Sequence, residues 1–169
     1  LDRGYACVGA PRLVGYSEPV RPLKFLKTLN GGLSLRHIPS ALRVFRNTRF
    51  LQRTKLVRLA QKLGLVQGAN RVLSQFGEHR VLIHREDLNE DVFWTGVVPA
   101  SVTDFRLPTP DEAAGFAFEA CPADLFERTG GQLPFGCHAF ERYDPAFWIA
   151  NVPDRLVAFV SAISGQSKQ

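Results

Sequence analysis

Asn89-Glu90-Asp91-Val92-Phe93-Trp94 puts two adjacent carboxylates at the head of an apolar run. On a helix successive residues project about 100° apart, so the two acids cannot point the same way. One can face a cleft while the other caps the helix or holds a ligand. A carboxylate in a cleft can take the proton of a hydroxyl as general base. The plain alternative is a charged helix start that complements the dipole and does nothing more. Phe135-Gly136-Cys137-His138 sets a lone imidazole in apolar, aromatic surroundings, as a hydrogen-bonded structural residue or as a metal ligand. Glu119, after Phe116-Ala117-Phe118, is a third candidate, whose plain reading is a solvated residue closing an apolar run. Gly31-Gly32 opens the alternating stretch Leu33-Ser34-Leu35-Arg36. A glycine pair accepts backbone angles that other residues avoid, and lets a ligand approach the main chain. A tight turn feeding an ordinary strand is the plain reading here.

These residues need a scaffold, and the chain reads as a mixture of strands and helices. YACVGA (5–10) reads as a short buried strand closed by Pro11, and residues 11–30, with Pro11, Pro19 and Pro22, as irregular loop. GLSLR (32–36) is the next strand. Pro39 starts a helical region running to about Leu63, with a break near Asn47-Thr48 and Gly64 as its cap. RVLIH (80–84) fits strand or helix, and REDLNEDVFW (85–94) reads as a helix with carboxylates in its first turn. TPDEAAGFAFEA carries a compact start signal: Thr109 as N-cap, Pro110 in the first helical position, Glu112 completing a capping box. LPFGCHAF (133–140) is a loop or short strand, PDRLVAFVSAI (153–163) a closing helix, and SGQSKQ a frayed tail. The fold class is α/β, as one domain over 1–163 with a flexible tail over 164–169.

The chain has 169 residues, 45% of them hydrophobic and 22% charged, enough for one soluble-type core. No run of about 18 apolar residues occurs, which argues against a membrane-spanning helix. Cys7, Cys121 and Cys137 are odd in number and widely spaced, which favours a reducing compartment over a disulfide framework. The net charge of +5 is polarised. Residues 36–85 hold eleven Lys and Arg but one acid, Glu78, whereas 86–154 hold thirteen acids against three arginines. The basic residues alternate with leucine and valine at helical spacing, as on the solvated face of an amphipathic helix. Attraction to an anionic ligand, lipid surface or partner subunit is the other reading. No nucleic-acid motif accompanies them, so no nucleic-acid partner is expected. The chain starts without Met and reads as a piece of something longer or a processed product.

In order, YxxVGAP, NGGLSLR, NEDVFW, EAAGFAFE and FGCH resemble a family of glycosyltransferase-like domains long catalogued as a domain of unknown function. They are also similar to the C-terminal half of the beta-galactosyltransferase type of GT-A enzyme, over roughly residues 5–140. The resemblance implies a GT-A-like mixed sheet flanked by helices, present as the C-terminal, acceptor-side half. It implies metal-assisted transfer of a hexose, with inversion, from a nucleotide diphosphate sugar donor to a hydroxyl acceptor. Asp91 matches the general base and Glu90 a residue bonding sugar or acceptor hydroxyls. Gly31, Gly32, Arg36 and Asn89 would serve substrate binding, and His138 the shell of a divalent cation, Mn²⁺ or Mg²⁺.

One departure matters. Such enzymes hold the metal mainly through an Asp-x-Asp motif, and none occurs in these 169 residues. In the family it falls just before the point where this chain begins, so the cation is expected only with that upstream motif, and a missing N-terminal half is an expected partner. Two other classes stay open: a non-catalytic carbohydrate-binding or scaffold protein derived from this fold, and an anion- or membrane-surface-binding module led by the basic helix. The expected location is cytoplasmic, with or without membrane association.

Overall fold

The computed structural model describes residues 3–16, 18–51, 54–75, 80–83, 88–102 and 104–152. The helix expected over 153–163, the tail, and residues 85–87 of the acidic stretch lie outside them. The class is mixed α/β, and among the described residues the strands pair in three two-stranded sheets.

The first sheet pairs β1 (Cys7–Leu13) with β2 (Phe25–Arg36) antiparallel. β1 is not closed by Pro11. It runs through it because the ladder shifts register on both sides of that residue, so the missing N–H falls at an irregularity. The loop expected to reach residue 30 ends at Lys24, and GLSLR is the last part of a twelve-residue strand. β1 is almost wholly buried, which its apolar run demands.

α1 (Ile38–Asn47) starts with Pro39 in its first turn and ends where Thr48 becomes extended. The break expected there is filled by β3 (Thr48–Leu51), which pairs in parallel with β4 (Arg80–Ile83); RVLI is therefore strand, and His84 lies outside the described residues. α2 (Lys55–Lys62) ends at Leu63 and Gly64, whose φ of +70° suits glycine. α3 (Leu65–Gln75) follows directly and was not foreseen in the sequence. Among the described residues the acidic helix starts later than expected and runs further: α4 (Glu90–Val92) opens at Glu90 and widens into a π-helical turn, Phe93–Val97, before α5 (Val98–Ser101).

α6 (Pro110–Phe116) leads into β5 (Ala117–Phe118), which pairs in parallel with β6 (Gly136–Cys137). α7 (Pro122–Arg128) lies between them and α8 (Pro145–Asn151) after them. Two cores result. Trp94 centres one, stacked on Phe105 at 5.9 Å and edge-on to Phe93 at 5.1 Å. Phe118, Leu125 and Trp148 make the other. Among the described residues no helix is long and apolar enough to cross a membrane.

The capping box of α6 is present as the sequence indicates. Glu112 Oε2 accepts from Thr109 N and Oγ1, both at 2.8 Å, and Thr109 Oγ1 accepts from Glu112 N at 3.4 Å. Tyr5 donates a further bond to Glu112 Oε1. That bond first, and the Thr109 bonds second, lower the Glu112 carboxyl from 4.5 to about 2. A carboxylate depressed in the folded state stabilises fully above its ordinary value and loses that contribution as pH falls toward 2. Glu112→Gln should therefore melt below the parent at pH 7, with the gap closing between pH 4.5 and 2. Circular-dichroism melts across that range check it; a gap independent of pH would refute the assignment.

Candidate functional site

The site is built on an irregularity in β2. Gly9 faces Ser34 across the ladder and Pro11 faces Leu29, so two steps along β1 match five along β2. Asn30, Gly31, Gly32 and Leu33 bulge out between those pairs. Asn30 is buried and its Oδ1 accepts from Gly32 N at 2.7 Å, while Ser34 Oγ donates to Gly31 O at 3.2 Å. Neither Gly31 nor Gly32 has a positive φ. The requirement for glycine is space. A Cβ on Gly31 would lie 2.8 Å from Asp91 Cβ, and one on Gly32 would lie 2.3 Å from Cε1 and Nδ1 of His138. The turn-before-a-strand reading of this pair is thus corrected: the glycines sit mid-strand, and protein side chains close on them.

The start of α4 is locked onto the bulge. Thr95, in the π-helical turn, donates from Oγ1 to Asp91 O at 2.7 Å and accepts from Leu29 N at 3.0 Å, tying helix to strand. π-helical turns are frequent at functional sites. Asp91 Oδ1 accepts from Val92 N at 2.7 Å, and Oδ2 lies 3.9 Å from Arg12 Nη1. Its side chain is 15% exposed. Glu90, at 56%, turns outward and pairs with Arg36, whose guanidinium lies 5.8 Å from the Trp94 ring centre. The two acids do diverge as helical geometry requires. Asn89 is the exposed N-cap residue, without a side-chain capping bond.

On the other flank, β5 and β6 bring Glu119 to His138. His138 N donates to Phe118 O at 3.1 Å, and its Nδ1 lies 3.1 Å from Glu119 Oε1. Tyr16 Oη donates to the same oxygen at 3.2 Å. Glu119 is not the solvated residue its place after an apolar run suggests; it is 4% exposed. The strand just before it, β5, is buried on both residues, and the acid remains inside because a ring and a hydroxyl meet it there. Arg12 spans both flanks, beside Asp91 and 5.8 Å from the Tyr16 ring centre.

Gly31, Gly32, Arg36, Glu90, Asp91 and His138 therefore share one locality, with Asn89 at its edge. Arg12, Tyr16 and Thr95 belong to it and were missed. The available signals were slight: Arg12 is the one charge in CVGAPRL, and Thr95 the one hydroxyl in FWTGVV. Among the described residues no three His, Cys, Asp or Glu side chains group as a metal site. All three cysteines are free.

Overpacking at the bulge has a clear signature. Gly32→Ala should cost about 1–3 kcal/mol in urea unfolding, and His138→Ala should relieve it with a coupling of at least about 1 kcal/mol. Gly31→Ala should not be relieved by Asp91→Ala, because the atom it meets is Asp91 Cβ, which alanine retains. Additive costs at Gly32 and His138 would show that the ring does not sit on the glycine.

The family described as Protein of unknown function (DUF5672) matches residues 1–138. No curated protein matches the chain, and no solved structure does. The match spans most of the 169 residues, including the bulge, the Glu90-Asp91 helix start and His138, and the chain belongs to DUF5672.

Proposed function

We propose that this chain forms the acceptor-side part of an inverting, metal-assisted hexosyltransferase that uses a nucleotide diphosphate sugar and a hydroxyl acceptor. The observation that carries the reading is convergence. The glycine pair, Arg36, the Glu90-Asp91 helix start and His138 are spread along the sequence in an order that resembles the glycosyltransferase-like motifs, and they meet at one bulge. Among the described residues two buried donors, Nε of Arg12 and Nε of Arg36, lack a hydrogen-bond acceptor, and these arginines flank the two carboxylates. The positive charge that Arg12 and Arg36 bring to the site suits an oxygen-rich, anionic ligand.

In this reading Asp91 takes the acceptor's proton on Oδ2, its Oδ1 being engaged with Val92 N. Arg12 balances the charge beside it, and Glu90, oriented by Arg36, bonds substrate hydroxyls. The chemistry that a divalent cation would supply, if bound, is neutralisation of the departing diphosphate. Mn²⁺ or Mg²⁺ takes about six mainly oxygen ligands. His138, its ring held by a carboxylate as metal-bound histidines usually are, fits one position of such a site. The others would come from the diphosphate and from an acidic motif that these 169 residues lack.

In the protein together with that acidic motif, Asp91→Asn should lower turnover about 10²-fold or more with the fold intact, and Glu90→Gln should lower it less. The assay is release of nucleoside diphosphate from a panel of nucleotide hexoses with Mn²⁺, beside circular-dichroism melts. Near-parental turnover of a folded Asp91→Asn would overturn the assignment.

A contact with anionic membrane surfaces is carried by a separate observation. α2 buries no residue, and Leu56, Leu59 and Leu63 are 78%, 54% and 64% exposed. At about 100° per residue these three occupy an arc of about 60°, and Lys55, Arg58 and Lys62 the adjoining one. That is the pattern of an interfacial helix, with each basic residue contributing about 1 kcal/mol at an anionic surface. Vesicles of phosphatidylcholine with phosphatidylserine should co-sediment the protein, with binding lost at high salt and at least tenfold weaker after reversing the three charges. Equal binding to pure phosphatidylcholine, or none, would refute it.

A further inference from the structure

The buried pair Glu119–His138 carries a consequence for which nitrogen of the ring is available. A neutral imidazole has one N–H and one lone pair, and the partner of one nitrogen decides the chemistry of the other. Glu119 Oε1 meets both Nδ1 of His138, at 3.1 Å, and the hydroxyl of Tyr16, at 3.2 Å. The Tyr16 hydroxyl donates to the same oxygen that faces Nδ1, and an oxygen already serving as acceptor is best matched by an N–H on the ring. A carboxylate that is 4% exposed needs such partners.

We propose that Glu119 is a positioning residue that holds His138 in the Nδ1–H tautomer and so leaves Nε2 as a bare lone pair beside the glycine bulge. Three contacts fix the ring: the carboxylate on Nδ1, the seat on Gly32, and the bond from His138 N to Phe118 O. Among the described residues no protein group bonds Nε2, and the His138 side chain is 42% exposed. Tyr16 supports the arrangement from the β1–β2 connection. The inference rests on the reading of His138 as a cation ligand, because a lone pair on Nε2 is what a divalent ion requires. The rival arrangement has a protonated Glu119 donating to Nδ1, which puts the hydrogen on Nε2 and leaves no nitrogen to bind an ion.

The tautomer is measurable without any activity. In protein labelled with ¹⁵N-histidine, long-range ¹H–¹⁵N spectra at pH 8, with His138→Gln for assignment, should show Nδ1 protonated and Nε2 bare. Glu119→Ala should shift the ring to the Nε2–H form, and Tyr16→Phe should leave the Nδ1–H form in place. A parent ring that is Nε2–H, or a folded Glu119→Ala with unchanged tautomer, overturns the proposal, and the parent spectrum decides even if that variant does not fold. Adding Mn²⁺ with uridine diphosphate to the full protein should broaden the His138 signals. Glu119→Gln, closest in shape, should weaken that response 10- to 100-fold. The Nδ1–H tautomer without broadening upholds the positioning role and removes the cation from the proposed function, so the two failures are distinct.

Discussion

Seating Asp91 and His138 against the main chain of β2 requires residues 31 and 32 to have no side chains, because each seat takes the volume where a Cβ would be. The constraint propagates. Four residues can leave the ladder only if something replaces its bonds, and the Asn30 side chain and Ser34 Oγ do so. The bulge presses back on β1, where a Cβ on Gly9 would lie 2.2 Å from Asn30 O. On the far side, the helix carrying Asp91 has to stop at a fixed height above the strand, which the two hydrogen bonds of Thr95 enforce. Lengthening any of these contacts would separate the carboxylate from the imidazole.

Charge within the site is arranged as matched neighbours. Glu90 has Arg36, Asp91 has Arg12, and Glu119 has His138 and Tyr16. Burial explains why the pairing is this complete. An isolated carboxylate taken from water is expensive, and a partner restores part of the lost solvation. Glu90 is the more exposed acid and could do without a partner; Glu119 could not. Removing one member of a buried pair therefore harms folding more than the pair's own attraction suggests, because the survivor is left buried and alone. Mutational loss of activity at Glu119 or Arg12 has to be read beside a stability measurement for that reason.

How much of this was legible in the sequence depends on the range over which each feature is decided. The capping box at Thr109, Pro110 and Glu112 is settled within four positions, and it reads correctly. The divergence of Glu90 and Asp91 follows from helical geometry alone. The glycine pair is ambiguous locally, since a turn and a bulge use the same residues; what distinguishes them is Asp91 and His138, which arrive from other elements. Glu119 reads as solvated because its partners are 19 and 103 positions away. Pro11 reads as a strand end because the register shift that tolerates it is a property of the β1–β2 pairing, not of either strand. The motif order singled out residues that meet in the structure, but only tertiary contacts define what each of them touches.

The two flanks belong to different cores. Asp91 leads into the helical turn whose Phe93 and Trp94 fill one cluster, and Glu119 follows Phe118, which fills the other. The β2 bulge lies between them and is shared by both. A perturbation in either core is thus transmitted to one flank and leaves the other in place, and the separation of carboxylate and imidazole becomes a function of how both cores pack. Sites held by a single core move as a unit under such a perturbation; two flanks on two cores would shear past each other if nothing joined them. The bulge resists that shear through side chains already in van der Waals contact with backbone, which have no slack to give. Glycine at positions 31 and 32 therefore does two things at once: it admits the side chains, and by admitting them so closely it fixes the spacing between the two flanks of the site.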